Sequence, residues 1–169
     1  REEADRDDRR LTYRLRNARL RHADAAIEDV DYRTPRRLDK ALFQQLTRGK
    51  WIAGKQNLII TGPCGVGKSW LACALGQKAC RDDFSVLYKR IPKMFAELEM
   101  GRADGRYPRL FRALTKANLL ILDDWGRNAS MPIKGAISWK SPRLITAKSA
   151  LTLQKPANSS LKRTGELLV

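Results

Sequence analysis

Asn57-Leu-Ile-Ile-Thr-Gly-Pro-Cys-Gly-Val-Gly-Lys-Ser69 is the most informative segment of this 169-residue chain. Its last eight residues match G-x-x-x-x-G-K-[S/T], the phosphate-binding P-loop. The apolar residues before the motif, in 57–61, predict a short buried strand, and residues 69–80 after it predict a helix that is apolar on most faces. A chance glycine-rich turn is the alternative, but a strand before the motif and a helix after it are the context that a P-loop requires.

The glycines and the polar residues of this motif have separate physical roles. Gly62, Gly65 and Gly67 allow backbone angles that turn N–H groups toward a phosphate chain, and the N-terminus of the following helix adds a partial positive charge. Lys68 would bridge the β- and γ-phosphates of ATP, and the Ser69 hydroxyl would be a ligand of Mg²⁺. The predicted nucleotide-binding residues are Gly62, Pro63, Cys64, Gly65, Val66, Gly67, Lys68, Ser69 and Trp70.

A second motif follows about fifty residues downstream, where Leu119-Leu-Ile-Leu-Asp123-Asp124 forms an apolar strand that ends in two carboxylates. Asp123 would hold Mg²⁺ through its water shell, and Asp124 would polarise the attacking water, so that Lys68 and Asp124 are the candidate catalytic residues. The alternative is a strand capped by an acidic turn. The position downstream of a P-loop favours the metal site.

The rest of the middle region alternates strands and helices. Strands are predicted over 85–88 and 118–122, and helices over 93–100 and 107–116. Apolar strands separated by helices predict an α/β fold with a parallel sheet covered on both faces. We predict a helical N-terminal segment and linker over 1–50, with helices at 5–21 and 38–46, an ATP-binding core over 51–126, and an atypical basic tail over 127–169.

The net charge of +16, with a pI near 10.3, favours a polyanionic partner such as DNA. The chain has no apolar run of membrane-spanning length, and its charged N-terminus is unlike a signal peptide. Three cysteines and the single histidine, His22, are too few for a disulfide framework or a zinc site. We therefore expect a cytoplasmic protein with no membrane partner.

Two groups of arginines are candidates for DNA contact. Arg102, Arg106, Arg109 and Arg112 would share one helical face if the helix over 107–116 extends backward, and this face would contact phosphates. A solvated basic face is the equal alternative. A second cluster, in residues 9–21, could also bind DNA, but the neighbouring Asp5, Asp7 and Asp8 weaken its field.

The chain resembles the IstB-like transposition helper ATPases, which are relatives of the DnaC helicase loaders within the AAA+ class of P-loop NTPases. The resemblance covers about residues 10–126. It is carried by residues 57–76 (N-L-I-I-T-G-P-C-G-V-G-K-S-W-L-A-C-A-L-G), by S-V-L-Y-K-R at 85–90, by G-R-A-D-G-R-Y at 101–107, and by L-L-I-L-D-D-W-G at 119–126. The P-loop is generic, whereas D-D-W-G together with A-D-G-x-Y is much narrower.

The resemblance implies an ATP-driven accessory protein that binds DNA, self-associates on it and directs an insertion-sequence transposase to its target in DNA recombination. It also places the adenine pocket of the family near Trp51 and Ile52, for which core packing is the alternative. Other functions remain open, namely a helicase-loader-like ATPase in DNA replication and a DNA-binding relic with a vestigial P-loop. A metabolic P-loop enzyme is disfavoured by the basic charge and by the lack of a lid motif.

The tail departs from the family pattern. Residues 127–169 hold eight basic residues and one acid, Glu166, and only Leu144-Ile-Thr146 resembles the sensor strand of the family. Trp139-Lys140 is encoded by TGG-AAR, and reading one base earlier gives Leu, Met or Val followed by Glu, as in the missing acidic helix. We hypothesise that the native frame was lost between about Gly126 and Ile137.

The altered tail bears on activity and on the core. Neither the sensor nor the arginine finger that the resemblance implies can be assigned, so the sequence predicts nucleotide binding rather than efficient turnover. It also predicts an incomplete C-terminal part of the core, without the strands that normally flank the P-loop strand.

Overall fold

A computed structural model describes residues 2–33, 38–125, 143–149 and 164–168. The helices are α1 (Glu2–Ala18), α2 (Lys40–Leu46), α3 (Lys50–Ala53), α4 (Lys68–Arg81), α5 (Ile91–Ala103) and α6 (Tyr107–Lys116), with a 3-10 turn at Ile27–Asp29. The strands are β1 (Asn57–Gly62), β2 (Val86–Arg90), β3 (Leu119–Trp125), β4 (Arg143–Ser149) and β5 (Thr164–Leu168). Within these ranges no helix is long and apolar enough to cross a membrane.

The described strands form one parallel sheet in the order β2-β3-β4-β1-β5. Parallel strands point their carboxyl ends to the same edge, so the ends of β1 and β3 lie on the same side of the molecule. The predicted α/β class and the strands and helices predicted between residues 57 and 122 are confirmed, with shifts of up to three residues at their ends.

Helix α4 packs its length against the sheet as the sequence predicts. Leu71, Cys73 and Cys80 are fully buried, and Gly76 lets Ile121 of β3 come close, because a Cβ there would lie 2.7 Å from Ile121 Cδ1. Close packing of this kind leaves no room for a larger side chain at this crossing. The P-loop helix is therefore firmly fixed on the sheet.

The N-terminal segment also packs against α4. Ala18 and Ala25 are fully buried in the same core, and Arg14 Nε of α1 donates to the carbonyl of Cys80 at 2.9 Å. Past α1, Glu28 receives two hydrogen bonds from Arg81, at 2.9 and 3.1 Å. The segment between α1 and the 3-10 turn is thus anchored to α4 at both of its ends, by Arg14 before it and by Glu28 after it.

The condition for a single arginine face is not met. Helix α5 ends at Ala103, and the turn at Asp104–Arg106 separates it from α6, so Arg102 lies on α5, Arg106 caps α6, and only Arg109 and Arg112 share α6. Gly105 makes this turn, since its φ of 76° is in the left-handed region that glycine tolerates. The aspartate–glycine pair at 104–105 is a break signal, so the helix over 107–116 does not extend back to Arg102.

The tail contributes two strands, of which the sequence analysis noted only the resemblance of Leu144–Thr146 to a sensor strand. Strand β4 contains Leu144–Thr146 and pairs with β1 on one side and β3 on the other, and β5 pairs with the other edge of β1. The prediction that the flanking strands of β1 are missing is therefore wrong for the described chain. After β3 the described residues form strands β4 and β5 and no helix.

The reading-frame hypothesis concerns residues 126–137, which lie outside the described residues, as do 138–142 and 150–163.

Candidate nucleotide site

A cavity of about 290 Å³ opens at the carboxyl ends of β1 and β3, above the N-terminus of α4. Crevices at this edge of a parallel sheet are the usual ligand sites of α/β proteins. The P-loop, the end of β3 and the segment after α1 line the cavity, with Arg21, His22, Cys64, Gly65, Gly67, Lys68, Ser69, Trp70, Asp123 and Asp124.

The P-loop has the backbone geometry that the sequence predicts. Gly65 and Gly67 have φ values of 85° and 88°, and a Cβ at Gly65 would meet nothing within 4 Å. The requirement for glycine at position 65 is therefore conformational rather than steric. Gly67 directly precedes α4, and the residues that begin this helix, 67–70, line the cavity, where helix N-terminal N–H groups favour an anion.

Lys68 is held inside the loop, with only 8% of its surface exposed. Its ammonium group donates to the carbonyl oxygens of Gly62, at 2.9 Å, and of Pro63. These two neutral acceptors orient the ammonium group without neutralising it. An anionic ligand in the cavity would supply the missing countercharge.

Asp123 is buried beside the cavity, with 6% of its side chain exposed. The Tyr88 hydroxyl donates to its Oδ2 at 2.5 Å, and the backbone N–H of Asp124 donates to its Oδ1 at 2.8 Å. Burial, together with the hydrogen bond to Asp123, raises the pKa of Tyr88 far above its usual range, so the phenol stays a donor. These contacts fix the orientation of the carboxylate.

Asp124 leaves the regular strand. The pairing of β3 with β4 shifts between Leu122 and Trp125, and Asp124 has a φ of 62°. Such an irregularity changes the direction of a side chain at the end of a strand. The carboxylate accepts from Arg90 Nε at 2.7 Å, and the hydrogen bond to Asp124 raises the pKa of Arg90. Asp124 is thus an exposed, arginine-paired carboxylate at the mouth of the cavity.

The donor set fits a nucleotide with Mg²⁺. Lys68 and the helix N-terminus supply positive charge, while the Ser69 hydroxyl and the Asp123 carboxylate are hard oxygen ligands. No group of three or more His, Cys, Asp or Glu residues capable of holding a metal occurs in the described part of the chain. Mg²⁺ is usually bound by one or two carboxylates together with phosphates and waters, which matches a site of this kind.

Of the nucleotide-binding residues predicted from the sequence, some line the cavity and others lie next to it. Gly62 and Pro63 take part through their carbonyl groups, and Val66 packs toward the core. The others line the cavity directly, namely Cys64, Gly65, Gly67, Lys68, Ser69 and Trp70.

The tryptophan before β1 has a structural position. Trp51 is 7% exposed and its Nε1 donates to the Leu46 carbonyl at 2.9 Å, and Ile52 is buried beside it. Neither residue lines the cavity. Their burial away from the cavity agrees with the alternative interpretation, in which both residues pack in the core.

Sequence reasoning missed Arg21, His22, Tyr88 and Arg90 at this site. For two of them a signal existed, because β2 pairs with β3 in parallel and Arg90 is in register with Asp123. Residues at the carboxyl end of the strand beside β3 are the natural neighbours of its carboxylates. Arg21 and His22 reach the cavity through tertiary packing, for which the sequence carries no local signal.

Comparison with known proteins places this geometry in a family. A family model described as IstB-like ATP binding protein matches residues 1–133. A Sinorhizobium fredii protein whose name describes an insertion sequence ATP-binding protein is 64% identical over 119 residues, which cover 70% of this chain and 48% of that protein. A Pseudomonas fluorescens protein named for ATP binding in insertion sequence IS1162 is 48% identical over 126 residues, 75% of this chain and 54% of its own length. The chain thus spans about half the length of these relatives.

Solved structures show the same fold. DnaA from Aquifex aeolicus, bound to AMPPCP, superposes with a TM-score of 0.59 at 18% identity, over 75% of this chain and 42% of that one. DnaI gives a TM-score of 0.56 at 22% identity, over 76% of this chain and 70% of that one. At such identities the likeness concerns the fold alone, a P-loop NTPase fold of the AAA+ type. The family match and the identity to the Sinorhizobium protein carry the further conclusion that this chain belongs to the IstB-like ATP binding proteins.

Proposed function

We propose that this protein binds Mg-ATP in the P-loop cavity and acts as an ATP-dependent helper in the transposition of an insertion sequence, binding DNA and assisting a transposase in target selection. The proposal rests on one observation: Lys68, Ser69 and Asp123 line the same cavity at the carboxyl edge of the sheet. The names of the relatives, which refer to ATP binding and to insertion sequences, support the biological context.

Each of these residues receives a role that its surroundings support. Lys68, whose ammonium group has two neutral carbonyl partners, binds the terminal phosphates. Ser69, at the start of α4, would be the protein ligand of Mg²⁺, and Asp123, whose carboxylate Tyr88 orients, would help to hold the metal. Bound Mg²⁺ supplies positive charge that stabilises the phosphates.

Asp124 is the residue that we assign to the attacking water. Its contacts with Arg90 fall on Oδ2, so Oδ1 is the oxygen that we assign to water. A turnover of this kind needs, in addition, charge stabilisation from an arginine of a neighbouring copy, which an ATP-dependent homo-oligomer would provide. Binding of ATP does not depend on this second requirement.

DNA binding is supported by the net charge of +16 and by the exposed arginines near α6. Arg109 and Arg112 project from this helix, and we assign them to phosphate contact. Arg102 and Arg106 have partners within the protein, since Arg102 lies 4.9 Å from the centre of the Tyr107 ring and Arg106 pairs with Asp104. They remain candidates for DNA contact with a weaker expected effect.

A thermal melt with and without Mg-ATP tests nucleotide binding. ATP at a hundred times its dissociation constant adds about 2.7 kcal/mol of stability. For a chain of this size the midpoint should rise by roughly 5–10 °C. Lys68→Ala should abolish the rise, whereas Lys93→Ala, which removes the same charge from an exposed site on α5, should retain it. A cooperative wild-type melt that Mg-ATP does not shift would contradict the proposal.

Salt-dependent DNA binding tests the second part of the proposal. Removing Arg109 and Arg112 together should lower the slope of log affinity against log salt by about two, because each phosphate contact contributes about 0.9. Removing Arg102 and Arg106 together is the charge-matched control, with a smaller expected change. Mg-ATP should alter the affinity of the wild type; an affinity that Mg-ATP leaves unchanged would instead favour a DNA-binding relic.

A further inference from the structure

Arg21 enters the nucleotide cavity from the segment that follows α1. Its Nη1 lies 3.7 Å from Asp123 Oδ2, an ion pair that is longer than a hydrogen bond. About half of the Arg21 side chain is exposed, whereas the Asp123 side chain is almost completely buried. The guanidinium group therefore lies at the mouth of the cavity, over the carboxylate that the proposed function assigns to Mg²⁺.

The backbone beneath Arg21 is firmly fixed. Ala18 and Ala25, on either side of it, are fully buried, and Leu20 packs where a Cβ on Gly76 would lie 3.2 Å from its Cδ2. Burial raises the pKa of the Cys73 thiol of α4, and the nearby backbone of His22 and Arg21 partly offsets this rise. The placement of Arg21 in the cavity thus follows from the packing of the whole segment on α4.

The charges of the cavity give Arg21 two successive partners. The ammonium group of Lys68 donates to two loop carbonyls rather than to Asp123. In the described part of the chain, the cation that lies nearest to the Asp123 carboxylate is the guanidinium group of Arg21. A divalent metal near Asp123 would take over the neutralisation of this carboxylate and would repel the guanidinium. A half-exposed arginine on a fixed backbone can turn toward the next anion in the same cavity, which is the end of the phosphate chain.

We propose that Arg21 reads the state of the nucleotide, pairing with Asp123 before binding and with the terminal phosphate of ATP once Mg-ATP occupies the cavity. This inference rests on the proposed function, because it needs the nucleotide in the P-loop cavity. The N-terminal segment would then take part in distinguishing ATP from ADP.

The affinities of Arg21→Ala for Mg-AMPPCP and Mg-ADP, measured by titration calorimetry, test the proposal without any turnover. Loss of the competing guanidinium should favour metal binding at Asp123 equally for both nucleotides, so their affinity ratio isolates the phosphate contact. We expect this ratio to fall by about tenfold or more, as a hydrogen bond to a charged group predicts. Without nucleotide, the melting midpoint should fall, because Asp123 loses its countercharge.

The controls separate this inference from its foundation. Arg16→Ala removes the same charge from an exposed site on α1 and should leave the ratio unchanged, and Arg21→Lys should restore part of it. Arg21→Gln keeps the length of the side chain and should reproduce the fall if alanine impairs folding. A wild type that binds neither nucleotide would overturn the proposed function itself. Binding that Lys68→Ala abolishes, with a ratio that Arg21→Ala and Arg21→Gln leave unchanged, would overturn only the role of Arg21.

Discussion

The two faces of the sheet differ in how completely they are covered. On one face α1 and α4 close over a large core that includes Leu119, Ile121 and Cys73. On the other face α5 and α6 cover a smaller cluster around Leu120 and Leu122, and a cavity of about 520 Å³ lies at the β2 edge, between α1 and α6. The closed face carries the P-loop helix, whose position must be held within a fraction of an ångström for phosphate binding.

The contrast shows how one strand can serve two purposes. Neighbouring residues of β3 point to opposite faces, so Leu119 belongs to the large core and Leu120 to the small one. The closed face fixes the P-loop and the carboxylates at its edge. The more open face presents Arg109 and Arg112, where exact packing matters less than exposed charge. This division of roles can be tested with matched changes on the two faces.

The largest expected effect comes from truncating the two leucines. Both residues are fully buried. Leu119→Ala should reduce the free energy of unfolding by roughly 3–5 kcal/mol, because the tightly packed large core cannot collapse into the cavity that the truncation leaves. Leu120→Ala should cost roughly 2–3 kcal/mol, since the smaller cluster can relax toward the open cavity. Urea unfolding of both variants measures the difference. Equal losses would mean that the two faces are packed equally tightly.

A smaller difference is expected for the two buried helical glycines. At Gly76 an added Cβ would meet Ile121 and Leu20 in the large core, so Gly76→Ala should destabilise the protein by about 1–2 kcal/mol in urea unfolding. At Gly101 an added Cβ would meet Leu110 Cδ1 at 2.7 Å, on a partly buried side chain that can move, and the backbone N of Tyr107 at 3.3 Å. The backbone needs to shift by only a few tenths of an ångström, and the gain in helix propensity should offset part of this cost, leaving a net loss below about 1 kcal/mol. A larger loss of stability for Gly101→Ala than for Gly76→Ala would indicate that the packing around α5 and α6 is the more rigid of the two.

These differences mark what the sequence could predict. The P-loop spans eight consecutive residues, so its geometry follows from local residue types, and the apolar strands between residues 57 and 122 have unambiguous patterns. Arg21 reaches Asp123 across about a hundred residues, and the packing of Ala18, Leu20 and Ala25 on α4 brings it there. Strands β4 and β5 are defined by pairing with β1, a tertiary context that overrides their weak local pattern.

Two arginines provide a third comparison between the faces. Arg14 is 19% exposed, donates to the Cys80 carbonyl and pairs with Asp83 at 2.6 Å, so Arg14→Ala should cost about 1–2 kcal/mol. Arg102, over the ring of Tyr107 at an exposed site, should cost about 0.5 kcal/mol when changed to alanine. Urea unfolding gives both values. A reversed order would indicate that α1 is not held on α4 as the structure describes.

The smallest effects are expected from two exposed ion pairs, and their dependence on pH identifies them. Arg81 lowers the pKa of Glu28 and Arg106 lowers that of Asp104, through hydrogen bonds in both cases. A carboxyl whose pKa is lower in the folded than in the unfolded protein stabilises the fold above its unfolded pKa, and this stabilisation is lost as the pH falls through the folded value. Glu28→Gln should therefore be less stable than the wild type at neutral pH and equally stable in acid.

The pair at Glu28 should matter more than the pair at Asp104. The Glu28 pair joins residues 53 positions apart and ties the N-terminal segment to α4, whereas Asp104 and Arg106 lie in one turn and are close in the unfolded chain as well. Asp104→Asn should consequently change the urea midpoint less than Glu28→Gln does at neutral pH. If the difference between Glu28→Gln and the wild type persisted in acid, the loss would come from altered packing rather than from charge. The N-terminal segment would then be held on the closed face by its buried alanines, by Leu20 and by Arg14, without a contribution from the charge of Glu28.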